Sequence, residues 1–190
     1  MNFIKIDKCK IVAISDLSRN RLEIARKLYP FVETTQKSQE LLQRKDIDAI
    51  VIATPVATHF QLAKEALMHN KHVLIEKPMV ETTSQAKELV KLAKENQKIL
   101  MVDHTFIFTG AVRKIKELIN SGEIGEIYYV DSVRVNLGLF QHDVNVLWDL
   151  GPHDFSILKY LIPEKPLSVS AFGAVHANYG DKPLELSLIH

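Results

Sequence analysis

The chain has 190 residues, 46% apolar and 25% charged, with a formal net charge of +1, a balance that suits a globular protein of one or two domains with its own core. That near-neutral charge, spread over dispersed lysines, excludes an electrostatic nucleic-acid surface, and no apolar stretch approaches the ~20 residues of a membrane span. Cys9 is the single cysteine, which excludes an internal disulfide or a cysteine-built metal site, and Met1–Asp7 lacks the features of a signal peptide. The expectation is a cytoplasmic protein with a small-molecule partner and neither nucleic acid nor membrane as partner.

In chain order, Ile11-Val12-Ala13-Ile14-Ser15-Asp16 is a short apolar run closed by an acid, the pattern of a buried parallel strand. A helix follows, with Leu22, Ala25, Leu28 and Tyr29 on one face and Pro30 as its stop. Leu41-Leu42 belong to a second short helix, and Asp48 to Thr54 form another buried strand, broken by Pro55. Thr58 to Met68 is predicted helical, with Thr58 as its cap and Phe60, Ala63, Ala66 and Leu67 at helical spacing. His72 to Glu76 returns as a strand. The next helix is capped by Thr83 or Ser84 and buries Ala86, Leu89, Val90 and Ala93, and Lys98 to Val102 is again a strand. Strands alternating with helices imply right-handed crossovers and an α/β fold with a doubly wound parallel, Rossmann-like sheet.

The pattern changes near Asp103. Gly110 to Asn120 reads as a helix ended by Ser121-Gly122, Glu126 to Asn136 as a strand, and Asp149 to Leu161 as a helix. Leu167 to Ala177 and Leu184 to Ile189 read as further strands. Residues 1–103 are thus expected to form an incomplete dinucleotide-binding domain, and 104–190 a partial α+β domain with an open sheet whose last strand leaves unpaired edge groups.

All seven glycines lie at or after Gly110. A glycine-rich phosphate turn belongs roughly 20 residues before an acid such as Asp16, so the first strand, that turn and its helix are missing. The expectation is either a fragment or a chain that binds dinucleotide weakly, since the pyrophosphate loses its amide cradle.

Several residues carry chemistry. Asp16, at a strand's carboxyl end, suits the adenosine ribose hydroxyls, or else caps the helix that follows. Arg19 and Arg21 beside it soften any preference for NAD over NADP. In Glu76-Lys77-Pro78, proline keeps Lys77 extended, with its amine free to enter a cleft and hydrogen-bond a substrate hydroxyl or carbonyl. Asp149 and His153 stand four apart and share a helix face, where a carboxylate would fix the imidazole's tautomer and raise its basicity. Proline at 152 suits only a helix's first turn, which places Asp149 near or before the helix start. His142, Asp143, Asp149, His153 and Asp154 have the composition of metal ligands but no recognised zinc spacing, so no metal is expected. His104 and Phe106 are expected to border the cleft.

The strand ending in Asp16, the Thr54-Pro55 turn, Glu76-Lys77-Pro78 and Trp148-Asp149-Leu150-Gly151-Pro152-His153 occur in the order found in one family. From about Ile11 to Ala177 the chain resembles the glucose-fructose oxidoreductase, inositol dehydrogenase and rhizopine catabolism (Gfo/Idh/MocA) oxidoreductases. The resemblance implies NAD as cofactor, with NADP admitted, and oxidation or reduction of a secondary hydroxyl of a sugar, inositol or nucleotide-linked sugar. It implies that Lys77 and His153 share proton transfer while Asp149 orients the substrate or the histidine. It places Thr54, Pro55 and His59 at the nicotinamide ribose, Glu76 and Lys77 beside the cofactor, and homo-oligomer contacts on the second domain. The wording around Trp148 to Ile157 resembles members that make surface-polysaccharide sugars, which favours a sugar nucleotide as substrate. The alternatives are a non-catalytic sugar- or dinucleotide-binding or interaction module, a glycosidase that uses NAD for transient oxidation, and an inactive truncated gene product.

Overall fold

The computed structural model describes residues 2–134, 144–173, 177–179 and 182–184. Five parallel strands, β1 (Ala13–Ser15), β2 (Glu33–Thr35), β3 (Ala49–Ile52), β4 (His72–Ile75) and β5 (Leu100–Val102), alternate with α1 (Arg19–Leu28), α2 (Ser38–Leu42), α3 (Val56–Met68) and α4 (Thr83–Glu95). They form two sheets. In one, β1 pairs with β2, Ile14 opposite Thr34; in the other, β3, β4 and β5 pair in that order, with Ile52, Ile75 and Val102 in register. Within each sheet the strands run the same way, so their carboxyl ends share one edge of that sheet, where ligands gather in open α/β folds.

The main core lies between β3–β5 and helices α3 and α4. Ala63, Ala66, Leu67, Ile75 and Leu89 are fully buried, with Ile52 and Val73 nearly so. On α4, Ala86 and Leu92 are half-buried against this core while Val90 faces solvent, so the buried stripe is turned slightly from the expected one. On α1 only Leu22 is buried; Leu28, expected beside it, is exposed.

Helix boundaries follow local hydrogen bonding. Ser18 caps α1 by accepting from the Arg21 amide. Thr82, rather than Thr83 or Ser84, caps α4, and Gln85 returns the bond to the Thr82 amide in a capping box. Helix α3 begins at Val56, because Pro55 occupies the capping position and Thr58 lies inside the helix. A 3-10 helix at Thr105–Phe108 leads into α5 (Gly110–Ser121), which ends at Gly122 with φ of 73°, a left-handed conformation that glycine adopts without strain.

Helix α6 (Val146–Leu161) starts earlier than expected, since Asn145 caps it through the Trp148 amide. Asp149 therefore sits inside the helix near its start, and Pro152 lies beyond the first turn. Gly151 is buried there; a Cβ would come within 3.0 Å of the Leu147 side chain and 3.1 Å of the Phe155 ring. The expected strand at Glu126 to Asn136 is absent over 126–134, and the one at Leu167 to Ala177 is absent over 167–173. Aromatic and β-branched residues favour extended chain, but a strand needs a ladder partner, and among the described residues none lies beside either segment. Tyr128, Tyr129 and Leu167 are accordingly exposed. A short antiparallel pair, β6 (Ala177–Tyr179) with β7 (Lys182–Leu184), follows, and residues 185–189 of the last expected strand lie outside the described residues. Among the described residues no helix is long and apolar enough to cross a membrane.

Candidate active site

Four strand ends bring the expected residues to the carboxyl edge. At the end of β1, Asp16 accepts from the Ser18 amide at 2.7 Å through one oxygen and from Arg21 Nε at 2.7 Å through the other. The Arg21 hydrogen bond, more than the Ser18 one, holds the carboxyl below its ordinary value. Asp16 is not the cap of α1, which Ser18 makes; Asp16 braces the helix entry by accepting from the Ser18 amide. Each carboxylate oxygen accepts more than one bond, so acceptor capacity remains for ribose hydroxyls. The largely exposed Arg21 stands beside it as a cation.

At the end of β3, the Thr58 hydroxyl donates to the Pro55 carbonyl at 2.8 Å and lies 2.7 Å from the Thr54 hydroxyl. Since the Thr58 proton is committed to Pro55, Thr54 donates to Thr58 and retains acceptor lone pairs. His59 departs from its expected place. It is 1% exposed, with Nε2 at 2.7 Å from the Thr54 carbonyl and Nδ1 at 3.0 Å from the Pro78 carbonyl. Both ring nitrogens face backbone acceptors, so the imidazole ties the β3 end to the β4 end from behind and has no free nitrogen for a ligand.

At the end of β4, Glu76 continues the ladder through its amide to the Ile52 carbonyl, and its carboxylate accepts from the Lys77 amide at 3.2 Å. The Lys77–Pro78 peptide is cis. The Lys77 ammonium reaches across to α6, donating to Asp149 Oδ1 at 2.6 Å and to the Asp149 carbonyl at 2.9 Å, with both side chains 20% exposed. Trp148 reinforces the junction by donating from its indole to the Val80 carbonyl at 3.2 Å. The partner of Asp149 is thus Lys77 rather than His153.

His153 lies against the Phe106 ring, edge to face, with centroids 4.7 Å apart. Its Nδ1 is buried without a hydrogen-bond partner among the described residues, and so is Nδ1 of His104 at the end of β5. Burial holds the His153 pKa below its ordinary value, and the Lys77 and Arg134 cations push it further down against the pull of Asp149 and Asp154. The expected rise in basicity is therefore reversed, because burial and two cations outweigh the carboxylates. Burial likewise lowers the His104 pKa. The imidazole of His153 is neutral near pH 7, as a proton acceptor has to be.

Two residues unread in the sequence complete the site. Arg134 pairs with Asp154 through Nε and Nη2, both at 2.9 Å, and its guanidinium lies 5.1 Å from the Phe106 ring centroid. Ser132 donates to the same carboxylate at 3.1 Å. Nothing local in Arg134 or Ser132 announces a site, because their partner is some twenty positions away. Of the metal-like composition, Asp149 and Asp154 are committed to Lys77 and Arg134, while His142 and Asp143 lie outside the described residues. Among the described residues no cluster of three such side chains could hold a metal ion.

An acid at the end of β1, a threonine–proline turn at the end of β3 and a lysine–carboxylate pair at the end of β4 are set on a Rossmann-like α/β fold. The comparisons with known proteins agree. The model of the GFO/IDH/MocA oxidoreductase family, NAD-binding Rossmann fold, matches residues 2–104, and that of the GFO/IDH/MocA C-terminal domain matches residues 112–185. The chain belongs to the GFO/IDH/MocA oxidoreductase family, and NAD is the cofactor of the matched domain family. It is 27% identical to the scyllo-inositol 2-dehydrogenase (NAD(+)) of Bacillus subtilis over 95% of this chain and 56% of that protein. It is 36% identical to the dTDP-3,4-didehydro-2,6-dideoxy-alpha-D-glucose 3-reductase of Streptomyces antibioticus over 62% of this chain and 35% of that one. The crystal structure of scyllo-inositol dehydrogenase from Lactobacillus casei with bound NAD(H) and scyllo-inositol shares the fold, with a TM-score of 0.75 at 22% identity over 92% of this chain and 55% of that one. The chain spans about half the length of the curated relatives it matches most fully.

The residues present fit both ends of a dinucleotide. Asp16 has carboxylate acceptors that would suit one ribose, and Thr54 a hydroxyl oxygen that would suit the other. None of the described glycines lies in a strand-to-helix turn that could cradle the pyrophosphate.

Proposed function

We propose that this chain forms the site of an NAD-dependent oxidoreductase, NADP being admitted by Arg21, that acts on a secondary hydroxyl of a sugar, inositol or nucleotide-linked sugar. The observation that carries the reading is the Lys77–Asp149 pair, at 2.6 Å, beside an imidazole whose buried Nδ1 has no hydrogen-bond partner among the described residues. The ammonium stands at a strand end, held by one carboxylate oxygen and one carbonyl of α6, with a third N–H to spare.

The roles follow from protonation state. In the oxidation direction, neutral His153 takes the hydroxyl proton, and Lys77 keeps its charge and donates to the substrate oxygen as negative charge builds there. Asp149 anchors the ammonium twice, through side chain and backbone, so that one N–H remains to point at the substrate. Asp16 and Thr54 would hold the two riboses, with Glu76 and Pro55 shaping the turns between them and His59 bracing both strand ends from behind. NAD, when bound, supplies the acceptor for the hydride that leaves the carbinol carbon. In reduction the same proton returns from His153 to the new hydroxyl.

The test is NADH formation at 340 nm by the 190-residue chain, given NAD and a panel of inositols, free sugars and dTDP-sugars. Turnover that falls ~10²–10⁴-fold in Lys77→Met and in His153→Ala supports these roles; turnover that survives both substitutions overturns them. A second reading is a binding module without turnover. Saturable binding of a sugar nucleotide with no change at 340 nm would select it.

A further inference from the structure

Arg134 makes two directed contacts that meet at the same place. Its fork grips both oxygens of Asp154, the residue next to His153 on α6, and its guanidinium lies over the Phe106 ring, whose other neighbour is the His153 imidazole. Phe106 thus meets both a cation and an imidazole, and the carboxylate that the cation grips is next to that imidazole on α6. We propose that Arg134 is a positioning residue for His153, setting the orientation of the imidazole through Phe106 and through Asp154. The catalytic meaning of this arrangement rests on the oxidoreductase reading, whereas the arrangement itself does not.

The chemistry of the arginine side chain explains why this residue type serves. A planar guanidinium can match a carboxylate edge-on with two parallel bonds and present itself to an aromatic ring, and a lysine ammonium can do only one of these well. The pair is three-quarters buried, with side-chain exposures of 28% for Arg134 and 22% for Asp154, so it is less screened than a surface pair. Ser132 adds a third bond to Asp154 from the same extended segment. Among the described residues His153 has no hydrogen-bond partner at Nδ1, so the contact with Phe106 bears directly on its orientation.

The charged groups facing His153 come from three elements: Lys77 at the β4 end, Asp149 and Asp154 on α6, and Arg134 from the extended segment. The 3-10 helix contributes the uncharged Phe106, and α5 reaches α6 through Lys116 at the Leu161 carbonyl, at the far end of the helix. Removing Arg134 takes away a cation and frees the Asp154 carboxylate, and both changes favour the imidazolium.

The experiment is a proton NMR titration of the His153 ring signals in the wild-type chain, in Arg134→Met and in Arg134→Lys, with His153→Gln to assign them. In Arg134→Met the expected result is a titration midpoint higher by about half a pH unit or more. The ring signals should also move as the imidazole turns against Phe106. Arg134→Lys keeps the charge and so most of the midpoint, yet should show the same displacement of the ring signals, because the fork and the stacked plane are both lost. Wild-type ring signals in Arg134→Lys, or a wild-type midpoint and wild-type ring signals in a folded Arg134→Met, overturn the proposal and leave Arg134 as a tether of its segment. The readout needs no turnover, so an absence of dehydrogenase activity would count against the oxidoreductase reading without touching this one.

Discussion

The two parallel sheets are built from the same strand–helix unit and differ in how well they are enclosed. In β3–β4–β5 the central strand is paired on both sides, and Val73 and Ile75 are almost wholly buried under α3 and α4. In β1–β2 no residue of either strand is fully buried, Leu22 is the sole buried residue of α1, and Leu17, Ile24, Leu28 and Phe31 stand exposed. The two sheets share no ladder among the described residues, so β1 and β3 each present one unpaired edge. Position on a carboxyl edge is therefore not enough to make a site rigid. Lys77 and Thr54 hang from the enclosed sheet, while Asp16 hangs from the open one, held by its amide to the Thr35 carbonyl, by its own turn and by Arg21.

Substitutions can break or sharpen that contrast. The largest difference should come from the core: Leu67→Ala, in the enclosed half, is expected to cost about 3–5 kcal/mol, and Leu22→Ala, whose surroundings can collapse more freely, nearer 2. Urea denaturation of the two variants measures this, and equal costs would remove the distinction. Next in size is the strap between β4 and α6. Lys77→Met leaves Asp149 partly buried without its cation and should destabilise the chain by about 1–2 kcal/mol, seen as a lower urea midpoint; a neutral effect would mean that the pair is solvent-screened. In hydrogen exchange, β4 amides should outlast those of β1 and β2, since the enclosed sheet opens only with the core.

The smallest effect is electrostatic. His104 and His153 both have pKa values below the ordinary 6.5 in the folded chain, so the unfolded state binds more protons once pH falls below that value. Their contribution to stability is fully present above about pH 7 and is lost as pH falls through the folded values. Thermal melts should hold steady above pH 7 and drop as pH falls below about 6.5, with a shallower drop in His104→Gln and His153→Gln. A flat profile across that window would place both imidazoles in water.

This contrast also marks what could be read from the sequence. The enclosed half was legible because it obeys local rules: β4 is an unbroken apolar run, α3 and α4 repeat at helical spacing, and proline after Lys77 marks the strand end. The open half misled at Leu28, where helical periodicity suggests burial but no layer covers the face. His59 misled for another reason, since its sequence neighbours point to the ligand edge while its two nitrogens are taken by carbonyls that only the fold brings near. Asp149 was placed on the right face with the wrong partner: helical spacing favours His153, yet an ammonium from β4 offers a stronger bond than a neutral imidazole does. The Arg134–Asp154 fork was unread because it joins an extended segment to a helix, and no periodicity encodes that meeting. The strands expected at 126–134 and 167–173 show the limit of propensity, which supplies extended chain but not a partner.

The central claim is that the carboxyl edge of these sheets receives a nicotinamide dinucleotide, and fluorescence titration of the 190-residue chain with NADH tests it most directly, with Asp16→Ala as the comparison. The account predicts saturable binding that weakens about tenfold or more in the variant, as expected for the loss of hydrogen bonds to a charged acceptor. Identical titrations of the two proteins, or no saturation at millimolar NADH, would contradict it.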